Sequence, residues 1–328
     1  MTETVLEPPL SAASKHFQIL SLDGGGLRGL FSAAVLAALE EDHGIDVTRN
    51  FDLIVGTSTG GIIALALGTG LRPREIVDFY LQMGPKIFAK DRRWRRVRHV
   101  FRYKHDPYPL ERALREVLGE KTLEDSRKRL VVPAFSLDSD QVYLFKTPHH
   151  PRLKRDGRVP MWQVALATSA APTYFPAFNL EGSRLVDGGV WANNPSVVGV
   201  AEALSMLDVP LSSIRILSLG TTKPVKDRPA GLSRGGLWAW RQQAMDVVLA
   251  AQSCSTTGLA GHLVGPDNIT RLDVNVPDGI FGLDCIDEER LRGLANETSR
   301  TFGPHYEQRF APHTAAPYTP HIRQEAAA

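Results

Sequence analysis

Apolar and polar positions follow two rhythms along this chain: short, mostly apolar runs, and longer stretches with a helical repeat. The short runs are bounded by turn residues. They predict buried strands at 17–22, 51–55, 130–136, 142–146, 184–187, 214–219 and 269–274. The helical repeats predict helices at 29–42, 59–69, 73–84, 108–118, 162–170, 195–206, 237–258 and 287–299. Pro73 and Pro195 fall in first turns, where a helix accepts proline. Alternating strands and helices predict an α/β chain, a three-layer α/β/α sandwich around a mostly parallel central sheet. Pro/Ala/Ser-rich residues 1–15 and 311–328 read as disordered tails around one domain, 16–310. The stretch from Leu53 to Leu71 has no charge and is long enough to cross a bilayer. Its clustered Gly, Ser and Thr fit a strand, a turn and a buried helix better.

Three turns in this pattern carry candidate chemistry. Phe51 to Gly61 (FDLIVGTSTGG) reads as a strand, a Gly-x-Ser-x-Gly turn and the start of a helix. Such a turn exposes its serine oxygen, and the next helix aims free N–H groups and its positive dipole end at it. Ser58 is therefore the candidate nucleophile, with Gly56 and Gly60 keeping side chains out of a tight turn. Earlier, the strand 17–22 runs into Asp23, Gly24, Gly25, Gly26, Leu27, Arg28 and Gly29. Consecutive glycines can turn their N–H groups to one point, a nest for an anion such as the oxyanion of acyl transfer. Later, Asp187, Gly188 and Gly189 end a short strand. A carboxylate there could take the serine proton, although an Asp-Gly pair is also common in simple turns. Aspartate is a weak base, so the chemistry needs a partly desolvated carboxyl within hydrogen-bond reach of Ser58.

Together and in this order, the three motifs resemble those of the patatin-like phospholipases. The resemblance spans roughly Phe17 to Thr222. It takes in ALATSAAPTYFP, from Ala165 to Pro176, and ILSLGT, from Ile216 to Thr221. It implies a Ser58–Asp187 dyad without histidine. It also implies an oxyanion hole from the N–H groups of Gly25, Gly26 and Thr59, Arg28 near a negatively charged substrate, and a phospholipid or related acyl ester as that substrate. The segments QILSLDGGG, GTSTGG and FKTPHHPR are also similar to bacterial patatin-like effectors of CBASS, the anti-phage systems. That likeness implies activation by a cyclic dinucleotide such as cGAMP and degradation of the inner membrane. A constitutive lipid esterase and a non-catalytic lipid-binding module are the alternatives. Degenerate binding modules lose the serine or the aspartate, and both stand here.

Two rival readings use the same residues. Gly24-x-Gly26-x-x-Gly29 also fits a dinucleotide-binding turn, but the next strand ends in Gly-Thr-Ser rather than in an acid for the ribose. His262 would complete a Ser–Asp–His order, but it lacks a local signature. Composition changes little: 328 residues, 43% hydrophobic, 23% charged and net charge +2. That balance implies no DNA or RNA polymer as partner. Cys254 and Cys285 suggest no disulfide framework, and the N-terminus lacks a signal-peptide pattern. The expectation is a cytoplasmic protein touching the inner membrane peripherally, with no metal or organic cofactor. The segment Lys90 to Lys104 holds eight Lys/Arg and one acid. Arg92, Arg93, Arg95, Arg96 and Arg98 could meet anionic lipid or a phosphorylated activator, or cover the site as a lid. A solvated helix face fits the same pattern. His149 and His150 read as loop residues, and helix 237–258 as core, homo-oligomer face or membrane contact.

Overall fold

The computed structural model describes residues 16–88, 103–225, 230–236, 240, 244–277, 281, 282, 284 and 287–321. Its frame is a mixed sheet of eight strands in the order β5-β6-β3-β2-β1-β7-β9, with β4 also paired to β3. The strands are β1 Phe17–Leu22, β2 Leu53–Gly56, β3 Arg129–Ser136, β4 Gln141–Lys146, β5 Phe178–Leu180, β6 Ser183–Asp187, β7 Ile214–Leu219 and β9 Ile269–Leu272. A separate parallel pair joins β8 Lys223–Val225 to β10 Asn275–Pro277. Pairings β3–β2, β2–β1, β1–β7 and β7–β9 are parallel, and β4, β6 and β5 add antiparallel ones at one side.

Central strands are mostly apolar and buried at nearly every position because both faces are covered. Leu20, Leu22, Ile54, Leu130, Val132, Leu217 and Leu219 face one core. Phe17, Ile19, Leu53, Val55, Val131, Ile214 and Ile216 face the other. The first core is roofed by α1 Gly29–His43, α2 Thr59–Thr69, α3 Pro73–Ile87, α4 Pro107–Leu118, α5 Met161–Thr168 and α9 Glu288–Arg309. The second is roofed by α7 Ser196–Met206 and α8 Ala244–Val264, and the short α6 Gly189–Ala192 lies at the sheet end. The expected three layers are thus present.

Local chemistry sets the helix ends. Asp106 and Asp287 accept the N–H groups of Tyr108 and Arg290 at the starts of α4 and α9. At the start of α7, Asn194 accepts the Ser196 N–H at 3.0 Å, and Pro195 lies just before the helix rather than in its first turn. Helix α9 runs ten residues past its expected end and through Pro304, because Phe302, Tyr306 and Phe310 bury their rings there.

The C-terminal tail is a correction. Residues 311–321 do not form a free tail but lie along the body. Asn50 donates to the carbonyls of Ala311 and His313, and His313 Nε2 meets Asp52 Oδ2 at 2.6 Å. The Ala315 and His321 N–H groups bond to the carbonyls of Arg49 and Pro148. Residues 1–15 and 322–328 lie outside the described residues.

Candidate active site

Strands β1 and β2 are adjacent and parallel, with Leu22 level with Gly56. The glycine loop and the Gly-x-Ser-x-Gly turn therefore leave the sheet side by side, at the edge where α/β folds collect ligands. Ser58 takes φ 55°, ψ −122°, a backbone state that side chains disfavour. Two anchors hold it there: the Ser58 N–H donates to Thr168 Oγ1 at 2.9 Å, and Thr57 Oγ1 donates to the Ala192 carbonyl at 2.6 Å. Gly60 is required because a Cβ there would strike the Leu22 and Asp23 carbonyls. Thr168 was not singled out by sequence. It ends the alanine-rich helix α5, and its hydroxyl donates a hydrogen bond to the Pro133 carbonyl at 2.6 Å.

Asp187 arrives on β6, opposite Ala134 of β3. Its Oδ2 accepts from Ser58 Oγ at 2.6 Å, and its Oδ1 accepts the Gly189 N–H at 2.7 Å. Both side chains are buried, Ser58 at 9% and Asp187 at 5% exposure. Burial pushes the Asp187 carboxyl up to about 6, against the pull of the Ser58 and Gly189 hydrogen bonds. Among the described residues no histidine bonds to either member of the pair. His262 is exposed near the end of α8, so the triad reading has no geometric support.

The glycine loop is pinned at its start. The N–H groups of Asp23 and Gly24 bond to the carbonyls of Leu219 and Asn193, and Thr221 Oγ1 donates to the Gly24 carbonyl. The Gly25, Gly26 and Thr59 N–H groups have no acceptor among the described residues. Gly26 sits at φ 60° and opens one turn of 3-10 helix, Gly26–Arg28, before α1 starts at Gly29. Arg28 turns back on the loop, its Nε donating to the Gly25 carbonyl and its Nη1 to the Thr222 carbonyl, each at 3.3 Å. Gly188 follows Asp187 against the Pro133 carbonyl. Arg28, Ser58, Thr59, Asp187 and Gly24 to Gly26 all line one cavity of about 880 Å³. Apolar side chains also line it, among them Leu27, Ile62, Phe79, Ile87, Phe88 and Phe175.

Other expected features separate from this centre. His149 is buried, bonded to Thr147 and to Glu202, which also takes Lys146. It is a structural loop residue. Arg92, Arg93, Arg95, Arg96 and Arg98 lie outside the described residues, as do Trp238 and Cys285. Lys104, at the end of the basic segment, pairs with Asp284 and lies 5.0 Å over the Tyr174 ring. Among the described residues no helix is long and apolar enough to cross a membrane.

A family model described as patatin-like phospholipase matches residues 20–197. A cGAMP-activated phospholipase of Vibrio cholerae is 34% identical, over 89% of this chain and 91% of that one. A cGAMP-activated phospholipase of Pseudomonas aeruginosa is 33% identical, over 89% and 88%. Patatin-like protein 4 of Arabidopsis thaliana is 34% identical, over 85% and 81%.

Proposed function

Since this chain belongs to the patatin-like phospholipases, we propose that it cleaves phospholipid acyl esters with a Ser58–Asp187 dyad under the control of a cyclic dinucleotide. The observation that carries the chemistry is the 2.6 Å contact between Ser58 Oγ and a buried Asp187 carboxylate at the wall of an apolar cavity. Ser58 Oγ attacks the ester carbonyl and its proton passes to Asp187. The N–H groups of Gly25, Gly26 and Thr59 hold the oxyanion, aided by the positive end of α2. The tetrahedral intermediate collapses as Asp187 returns the proton to the leaving alcohol, giving an acyl-Ser58 enzyme. Water, deprotonated by Asp187, then releases the fatty acid and restores the serine. Arg28 at the cavity wall favours an anionic head group, and the apolar lining favours the acyl chain. No step needs a metal or an organic cofactor.

Control by a cyclic dinucleotide such as cGAMP rests on the likeness to the two bacterial cGAMP-activated phospholipases. The setting we propose is the cytoplasmic face of the inner membrane, reached peripherally. The test measures phospholipid hydrolysis by wild type and Ser58→Ala, each with and without a panel of cyclic dinucleotides. Wild-type turnover that appears only with one nucleotide, and is lost in Ser58→Ala, supports the full reading. Equal turnover without nucleotide leaves a constitutive lipid hydrolase. Turnover that survives Ser58→Ala removes the dyad.

A further inference from the structure

A buried ion cluster beneath the glycine loop has no part in the steps above. Arg271 of β9 reaches past β7 to the end of β1. Its Nη1 donates to Asp23 Oδ1 at 2.8 Å and its Nη2 to Asp23 Oδ2 at 2.7 Å, a two-point grip on the residue before Gly24. Nη1 also donates to Ser218 Oγ on β7, and Nη2 to Asp273 Oδ2, both at 2.8 Å. One guanidinium thus ties the active-site ends of three parallel strands. Asp23 is almost wholly buried and Arg271 largely so, at 3% and 17% side-chain exposure. A buried ion pair is a poor device for stability alone, because desolvation offsets most of its attraction. What this one does is local. With the Asp23 N–H held by Leu219 and the Gly24 N–H by Asn193, its grip fixes the last free part of the loop's first residue.

Charge adds a second reason. Asp23 and Asp273 both lie at the cavity wall with Arg271 between them. Without the guanidinium, two carboxylates would face a site where negative charge develops on the substrate oxygen.

We propose that Arg271 is a positioning residue of the oxyanion loop: through Asp23 it sets the direction of the Gly25 and Gly26 N–H groups and offsets the carboxylates beneath them. This rests on the reading of Ser58 as nucleophile and acts on the transition state rather than on substrate binding. A group that tightens only the transition state lowers kcat when lost and leaves KM in place.

The experiment compares wild type, Ser58→Ala, Arg271→Lys, Arg271→Met, Asp23→Asn and the Asp23→Asn/Arg271→Met double variant. Each is assayed, with the panel of cyclic dinucleotides present, for ester turnover, thermal midpoint and hydrogen exchange of the peptide 22–28. Arg271→Met should lose about 100-fold in kcat, the scale of one oxyanion donor, with KM within about threefold. Arg271→Lys, which keeps the charge but not the fork, should recover part of that loss. The double variant should lose no more than its worse single parent, since both act through one contact. Peptide 22–28 should exchange faster in Arg271→Lys while exchange in α1 is unchanged. A folded Arg271→Met with wild-type kcat overturns the inference, and so does a loss carried wholly by KM. Should Arg271→Met not fold, Arg271→Lys decides: wild-type kcat together with wild-type loop exchange overturns the inference. If wild type has no turnover that Ser58→Ala removes, the hydrolase reading fails, and loop exchange alone still decides the role of Arg271.

Discussion

At the scale of single residues, the site turns on one carboxyl whose surroundings oppose its charge. In its proposed role Asp187 must be ionised to accept the Ser58 proton, and burial pushes its pKa up to about 6. Turnover should therefore rise about tenfold per pH unit below 6 and level off above it. A kcat profile still flat down to pH 4.5 would assign the base elsewhere. The same burial predicts a trade between activity and stability. The folded chain holds this proton more tightly than the unfolded chain, so stability falls as pH rises from about 4 to about 6 and is level beyond. Asp187→Asn lacks that fall. It should lose turnover by roughly 10³-fold or more. It should also gain about 2–3 kcal/mol on wild type between pH 4 and pH 8. Urea melts at the two pH values check this, and an unchanged difference would mean an ordinary carboxyl. Ser58, Asp187 and the glycines were legible because each sits in a short motif whose backbone demands are local. Thr168 and Arg271 were not, because each matters only through a partner far along the chain: Ser58 for one and Asp23 for the other. The only sequence trace of Arg271 is a charged residue inside a strand-like run, ITRLD.

At the scale of elements, mostly apolar runs gave the central strands because parallel strands covered on both faces need no polar side. The edge pieces β5, β8 and β10 were missed, each being three residues long and without a period to read. The segment after α9 was misread for a different reason. Its composition cannot build a core, yet its backbone satisfies polar groups that the core leaves open. The Ala311 and His313 carbonyls accept from the Asn50 amide, and the His313 ring adds a bond to Asp52. Asp52 Oδ2 also accepts the Gln18 N–H of the central strand. Ending the chain at Phe310 should strip the Asn50 amide of its two carbonyl acceptors and Asp52 of His313. The stability loss should be about 2–4 kcal/mol, from a few buried polar groups left unsatisfied at 1–3 kcal/mol each. A thermal melt of the shortened chain would show it as a midpoint lowered by several degrees. An unshifted midpoint would return residues 311–321 to the status of a loose tail. Gly25→Ala probes the loop in the same way. Its Cβ would meet the Thr221 side chain, which anchors the Gly24 carbonyl, so turnover should fall while the melt stays within a few degrees.

At the scale of the whole molecule, residues from Asp23 to Asp273 meet at one cavity, so anything that redistributes its conformations can govern the rate. An activator can do so only by binding one conformation more tightly than another. Such a ligand must also bind the folded chain in preference to the unfolded one, and that can be measured without any turnover. At 100 times its Kd, a cyclic dinucleotide should stabilise the fold by about 2.7 kcal/mol. For a chain of this size, that is a rise of several degrees in the melting midpoint. The rise should follow the logarithm of ligand concentration and persist in Ser58→Ala, since the nucleophile plays no part in it. The sequence offers the five arginines between Arg92 and Arg98 as a place for the phosphates, because guanidinium forks suit phosphate oxygens. Replacing three of them with glutamine should then remove both the shift and the activation while leaving the unliganded melt in place. Loss of lipid binding without loss of the nucleotide shift would instead assign that segment to the membrane surface. A shift and an activation that both survive would place the activator elsewhere on the fold.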